Sequence, residues 1–433
     1  MSIVRIHPVN AAGGESGEGA ANGETLAGAP LRDPQWYHRP GTLSLPAPPP
    51  LSVYVHLPWC LKKCPYCDFN SHEVGTAGAT PKELPEQRYL DAVRVDLERS
   101  LPIVWGRTIQ TIFIGGGTPS LFSPDGIARL LSDLRMLLPL AADCEITMEA
   151  NPGTFEKERF RAFAQAGVNR LSIGVQTFDD ERLRALGRVH DGAQARAAAE
   201  EAARSFETFN LDLMYALPGQ TLADLDADLD LAFALGAPHL SLYHLTLEPN
   251  TVFAKHPPGN LPDDDAAYDM LDRVTERTAG GGFERYEVSA YARSGHRCRH
   301  NVNYWQFGDY LGLGAGAHGK LSFAHRVTRH VRWREPGMYM DRSLGGQGVS
   351  REDDVARAEL PFEFMLNALR LREGFALALF TERCGLPSSA IARPLEEAER
   401  RGLVARTGPP GAEWIRPTER GFDFLNDLQE LFL

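Results

Sequence analysis

Residues 56–72 read HLPWCLKKCPYCDFNSH. Three cysteines, Cys60, Cys64 and Cys67, crowd one short stretch, and Phe69 stands two places on, where a fourth would complete the set. Thiolates are soft ligands that select zinc, cuprous copper or iron–sulfur clusters. A structural zinc wants four closed ligands, and His56 or His72 is available as the fourth. A four-iron cluster normally takes four cysteines. Held by three, it leaves one iron open to a substrate or cofactor, much as a catalytic zinc keeps an open position. From these residues alone both metals remain open. The cluster is favoured because all three thiolates share one loop, whereas zinc knuckles usually carry two separated ligand pairs.

The loop follows a strand-like run, SVYVHL (52–57). Further along, TIFIGG (111–116), CEITMEA (144–150), RLSIGVQ (170–176), NLDLMYAL (210–217) and HLSLYHLT (239–246) are also apolar runs of strand length. Between them lie amphipathic segments of helical period at 86–101, 125–138, 157–167, 179–187, 191–205 and 222–236. Alternating strand and helix predicts an α/β fold with a parallel sheet. Six such units predict a partial (β/α)6 barrel over residues 51–250, with chemistry at the C-terminal strand ends. Residues 1–50, rich in Gly, Ala and Pro and ending in LPAPPP, read as a disordered arm. Residues 251–350 read as a barrel extension, helical at 262–280 and then rich in Gly, aromatics and His. Residues 351–433 read as a smaller helical or winged-helix-like α+β domain, closing with a hairpin and a helix; a plain helical cap is the preferred form, because an acidic tail offers no basic recognition face.

Bulk properties narrow the function. The 433-residue chain has 45 basic and 57 acidic side chains and a net charge of −12, which argues against broad nucleic-acid binding. No apolar run approaches the ~20 residues of a membrane span. The N-terminus lacks the charged start and apolar core of a secretory signal. Six cysteines in so long a chain do not make a disulfide framework, so a reducing cytoplasm is expected.

The spacing Cys60-x3-Cys64-x2-Cys67, with Tyr66 before the third cysteine, resembles the signature of the radical S-adenosylmethionine (SAM) superfamily. Within it, YVHLPWCLKKCPYCDF resembles the oxygen-independent coproporphyrinogen dehydrogenase group, which includes the HemW-type heme chaperones. The resemblance runs from about Val53 to the C-terminus. It implies a 4Fe–4S cluster on the three cysteines, whose open iron is chelated by the amino and carboxylate groups of SAM. An electron from the cluster then cleaves the sulfonium to a 5′-deoxyadenosyl radical. The resemblance also implies SAM contacts at Tyr54 and Tyr66, at Gly115, Gly116, Gly117 and Thr118 in FIGGGTPS, at Glu149 in ITMEANPG, at Gln176 in SIGVQTF, at Arg188 in LGRVH and at Asp212 in NLDLMYAL. Taken alone, the glycine run is a tight turn and Glu149 a solvated strand-end acid. YLGLGAGAHG (310–319) lacks the βαβ context of a dinucleotide loop and reads as a tight Gly-rich segment near the barrel mouth.

Two features separate the branches of the group. Its dehydrogenases carry a fourth cysteine two residues past the third, where this chain has Phe69, as HemW-type proteins do. RHNVNYWQFGDY (299–310) resembles their HNxxYW heme-binding motif. It supplies His300 as an iron ligand, with Asn301, Tyr304 and Trp305 beside the macrocycle. Without the resemblance, His300 is a satisfied histidine among core aromatics. Cys298 is a competing ligand or, with Cys144 and Cys384, an ordinary thiol. The resemblance therefore implies a heme chaperone that serves apo-hemoproteins such as respiratory enzymes. SAM cleavage capacity, a homodimer and at most a peripheral membrane contact belong to the same expectation. The rival is a radical SAM decarboxylase acting on coproporphyrinogen III.

Overall fold

The computed structural model describes residues 31–77, 80–81, 83–153 and 159–433. Residues 1–30 of the expected arm and the first two residues of the expected helix 157–167 lie outside them.

Each apolar run becomes a strand of one sheet. The first six are β1 (Leu51–Leu57), β2 (Ile109–Gly116), β3 (Leu140–Ala150), β4 (Arg170–Gln176), β5 (Thr208–Tyr215) and β6 (His239–His244). They pair in parallel, each with the next. Continuous apolar strands are what a parallel sheet covered on both faces requires. Val53, Val55, Ile112, Ile114, Leu171, Ile173 and Leu211 are fully buried. The intervening helices, among them Glu86–Val104, Pro124–Leu137, Gly192–Ser205 and Leu222–Ala234, cover the outside. Their starts are fixed by side-chain caps: Asp191 with Gln194 and Thr221 with Asp224 form capping boxes, each satisfying otherwise orphaned backbone N–H groups.

The sheet does not close. After β6 come β7 (Glu284–Arg285) and β8 (Ala290–Ala292), and then β9 (Asp309–Leu313), β10 (His318–Phe323), β11 (Arg326–Arg332) and β12 (Val349–Asp354). The twelve strands run in the order β7-β8-β6-β5-β4-β3-β2-β1-β9-β10-β11-β12. Strand β9 lies parallel to β1, and β10 to β12 continue as an antiparallel meander. These four strands were not legible as strands. Gly312, Gly314 and Gly316 interrupt the pattern, and three buried charges imitate surface residues. Lys320 Nζ lies 3.0 Å from Asp309 Oδ1 with both fully buried, and buried Arg332 reaches Asp96 of the first helix at 3.2 Å. Such charges survive burial only because they are paired.

Residues 31–50 correct the expected disordered arm. Tyr37, 1 % exposed, stacks on Phe323 at 4.6 Å, while Leu43 and Leu45 join the core of the C-terminal unit. Burying such apolar side chains is worth roughly 1.5–3 kcal/mol each, enough to order a proline-rich strap. The C-terminal unit combines helices with a small antiparallel sheet. Helices Leu360–Ala368, Leu377–Cys384 and Ala392–Arg400 sit with a three-stranded sheet of Phe375–Ala376, Val404–Thr407 and Trp414–Pro417. The small sheet goes beyond the preferred helical cap.

Candidate functional site

The cysteine loop leaves the C-terminal end of β1. Its three thiols meet different neighbours. Thr118 Oγ1 lies 3.6 Å from Cys60 Sγ, Arg188 Nη1 lies 3.6 Å from Cys64 Sγ, and Ser71 Oγ lies 3.7 Å from Cys67 Sγ. Burial pushes the Cys60 thiol up to about 11 and also raises Cys67, so metal loading of this loop must displace protons. The zinc alternative loses a donor here. His56 Nε2 donates to the Asn70 carbonyl at 2.9 Å, which leaves Nδ1 to accept from the Tyr54 hydroxyl at 2.9 Å. Both nitrogens are therefore engaged. Among the described residues, no three His, Cys, Asp or Glu side chains are gathered as for a single ion. Cysteines that each hold a different iron of a cluster do not need to be.

A recess of about 100 Å³ brings Cys60, Cys64 and Cys67 together with Tyr66, Gly116, Gly117, Thr118, Glu149, Gln176, Arg188 and Asp212. The glycine run has a steric reason: a Cβ on Gly117 would stand 2.5 Å from the Trp59 carbonyl oxygen, and one on Gly115 would crowd Glu149 and Tyr54 at 3.1 and 3.2 Å. Gly115 itself lines no recess, and Tyr54 faces the neighbouring cavity. The Gly116 N–H donates to Glu149 Oε2 at 3.0 Å. Burial, reinforced by Asp212, pushes the Glu149 carboxyl up to about 8. Asp212 is raised by burial despite hydrogen bonds from Ser172 and Asn210. Gln176 ends β4 with φ 69°, a left-handed backbone that few non-glycine residues adopt and that collects at functional sites. Arg188 Nη2 is anchored at 2.6 Å by Asn151 Oδ1 and at 2.7 Å by the Gly174 carbonyl. The donor set therefore fits the cluster and SAM: three thiols, a half-buried guanidinium, and carboxyls and backbone groups at the strand ends.

A second, larger cavity of about 540 Å³ adjoins this recess, and Cys67, Phe69, Glu149, Ser172 and Asp212 line both. Aromatic rings of Tyr54, Phe113, Tyr243, Tyr304, Trp305 and Tyr310 form much of its wall. His300, Asn301, Tyr304 and Trp305 all reach it from the helix Arg299–Trp305. His300 is not an open ligand, however. It is 1 % exposed, its Nδ1 bonds Thr111 Oγ1 at 2.8 Å and its Nε2 bonds the Tyr304 hydroxyl at 3.0 Å. Burial lowers its pKa to about 3. Cys298 lies 3.6 Å from Glu145 Oε1, with its thiol pushed up to about 12 by burial and then by that acid. Cys144 and Cys384 are buried free thiols.

Sequence reasoning missed Asn70. Its Nδ2 donates to the carbonyls of Ala315 and Arg334 at 2.9 and 2.8 Å, clamping the cysteine loop to the Gly-rich turn. Gly314, at φ +98°, and Gly316, at φ +74°, allow that approach: a Cβ would meet the His56 carbonyl oxygen at 2.3 Å and Asn70 Nδ2 at 2.4 Å. The glycines of YLGLGAGAHG thus serve a close approach of backbone to backbone and to Asn70. No helix among the described residues is long and apolar enough to cross a membrane.

Comparison with known proteins agrees with this geometry. Residues 54–232 match the radical SAM superfamily and residues 355–424 the HemN C-terminal domain. The chain is 46% identical to the heme chaperone HemW of Escherichia coli over 387 residues, covering 89% of this chain and 98% of that protein. It is 34% identical to the heme chaperone HemW of Bacillus subtilis, covering 82% and 92%. It is 36% identical to the mitochondrial radical S-adenosyl methionine domain-containing protein 1 of Bos taurus, covering 75% and 74%. In fold it matches the E. coli coproporphyrinogen III oxidase HemN, described as a radical SAM enzyme, with a TM-score of 0.74 at 24% identity, covering 89% and 90%. A radical SAM chain implies a 4Fe–4S cluster and SAM. Its partial barrel, three-cysteine loop and near full-length relatives together place it: the chain belongs to the HemW family of the radical SAM superfamily.

Proposed function

We propose that the chain is a heme chaperone that binds heme at the aromatic-walled cavity and passes it to apo-hemoproteins, respiratory enzymes among them. The observation that carries this reading is Phe69. It lines both cavities at the place where the group's dehydrogenases have a further cysteine. The names of the relatives support it. Cys60, Cys64 and Cys67 hold the cluster, and SAM lies among Tyr54, Tyr66, Gly115, Gly116, Gly117, Thr118, Glu149, Gln176, Arg188 and Asp212. When bound, these groups supply one-electron cleavage of a sulfonium; the protein's part is position and shielding. Arg188 steadies the loop beside Cys64. Glu149, held by the Gly116 N–H, is a proton-bearing acid at neutral pH and presents a donor as well as an acceptor.

His300, Asn301, Tyr304 and Trp305 form the heme-facing segment. His300 ligates iron only after its Nε2 leaves the Tyr304 hydroxyl, so Tyr304 acts as a latch on the ligand. A cytoplasmic location, a homodimer and a peripheral contact with membrane-bound recipients complete the reading. A second reading, coproporphyrinogen decarboxylation, is favoured by one feature: Glu149 and Asp212 connect the recess to the larger cavity, so a substrate there would stand next to SAM. One anaerobic sample decides. Hemin should raise a Soret band, and coproporphyrinogen III with SAM and dithionite should yield no protoporphyrinogen IX. Turnover without hemin binding would reverse the assignment.

A further inference from the structure

Buried polar atoms without partners are scarce in folded proteins, and each calls for an explanation such as a water or a ligand. Thr147 Oγ1, Arg170 Nη2, Trp305 Nε1 and Asn367 Oδ1 are buried without a protein partner, and all four residues line the larger cavity. Arg170 is the informative one. It opens β4, at the opposite end of the strand from Gln176, and is 2 % exposed. Its Nη1 donates to the His296 carbonyl at 3.0 Å and stands 3.9 Å from Glu145 Oε2. That carboxylate is already engaged by the backbone N–H groups of Arg299 and His300 at 3.1 and 3.0 Å. Arg170 Nη2 is thus a spare charged donor. Trp305 Nε1–H, on a residue 4 % exposed, can only donate. The Arg370 guanidinium lies 4.3 Å from the centre of its ring. Two donor-only groups ask for an acceptor. Of the other acids that line the cavity, Glu287 is paired with Arg370 at 3.0 Å, and burial raises the Glu149 and Asp212 carboxyls.

We propose that the inner end of the cavity is a carboxylate subsite, in which Arg170 Nη2, with Trp305 Nε1–H as a second donor, receives an acidic side chain of the tetrapyrrole. The inference rests on the heme-carrying reading and adds an orientation to it. The acidic edge lies toward the N-terminal strand ends and the opposite edge toward the cysteine loop.

The test uses the full-length, cluster-reconstituted chain and iron-free probes, which remove any contribution from metal ligation. Mesoporphyrin IX, a dicarboxylic acid, is compared with its dimethyl ester by fluorescence titration. A charge-assisted pair of this kind predicts that wild type prefers the diacid by about tenfold or more. Arg170→Gln should reduce that preference to about threefold or less while cluster absorbance stays unchanged. Should Arg170→Gln not fold, Arg170→Lys keeps the cation but has one nitrogen in place of the guanidinium fork, and it should weaken the preference in the same direction. A preference that survives both substitutions, or equal affinity for acid and ester in wild type, means a water-filled end only and overturns the subsite. If neither porphyrin binds wild type, the heme reading falls on its own. The subsite is then judged by sodium propionate, which should raise the melting temperature of wild type but not of the Arg170 variant. An equal response of the two proteins would reject it.

Discussion

Replacing Glu149 with Gln should separate stability from cofactor binding, and the size of the effect follows from burial. Glu149 sits 7 % exposed at the end of β3, and its carboxyl is pushed from the ordinary 4.5 to about 8, first by burial and then by Asp212. An acid raised in this way keeps its proton in the native state over a window where the unfolded chain has lost it. The native state then binds more protons, and stability falls as pH rises. The window opens near 4.5 and closes near 8. At about 1.4 kcal/mol per unit, the full loss is on the order of 5 kcal/mol. Gln cannot ionise and carries no such slope. In SAM-free protein melted under nitrogen, Glu149→Gln should therefore match wild type within about 1 kcal/mol near pH 5 and exceed it by about 5 kcal/mol near pH 8.5. The same variant should bind SAM about tenfold more weakly, the usual exchange of stability against function. Parallel stability profiles for the two proteins would refute the reasoning, because they would mean that Glu149 titrates in the native state as it does in water.

Other outcomes are expected. Cys60→Ser, Cys64→Ser or Cys67→Ser should abolish stoichiometric iron and sulfide after anaerobic reconstitution, whereas Cys144→Ser and Cys384→Ser should leave both counts unchanged. His300→Ala strips Thr111 and Tyr304 of a buried partner and should cost roughly 1–3 kcal/mol in denaturant unfolding. It should also weaken the hemin Soret band; an intact band and affinity would remove His300 from the heme site. Asp96→Ala leaves Arg332 buried and unpaired and should cost about 3–5 kcal/mol, more than any surface pair, in the same unfolding assay. Phe69→Cys should add a thiol beside the cluster recess without creating protoporphyrinogen IX in a turnover assay, because the cavity walls are unchanged.

The barrel was legible because its strands are buried on both faces and so carry unbroken apolar runs, from Val53 to Leu240, with caps such as Asp191 marking the helices between. The candidate site residues came from the family resemblance; the parallel topology brings Gly116, Glu149, Gln176 and Asp212 to one recess beside the cysteines. What was hidden depends on distant partners. Lys320 and Arg332 look like surface residues until Asp309 and Asp96 neutralise them, so β9 to β12 did not read as strands. Asn70 gave no signal, because its role lies in carbonyls more than 240 positions away in sequence. His300 could be seen as a ligand but not as a residue already bonded on both sides, a fact that rests on Thr111 across the sheet.

The open sheet has a mechanical consequence. Its two edges are β7, a strand of only two residues, and β12, each with a single hydrogen-bonded neighbour. The turn between β7 and β8 is tied to the C-terminal unit by both main chain and side chain: the Arg372 N–H donates to the Tyr286 carbonyl at 3.0 Å and Arg370 Nη2 to Glu287 Oε2 at 3.0 Å. A displacement of the C-terminal unit is therefore transmitted to that turn, whose Glu287 lines the larger cavity.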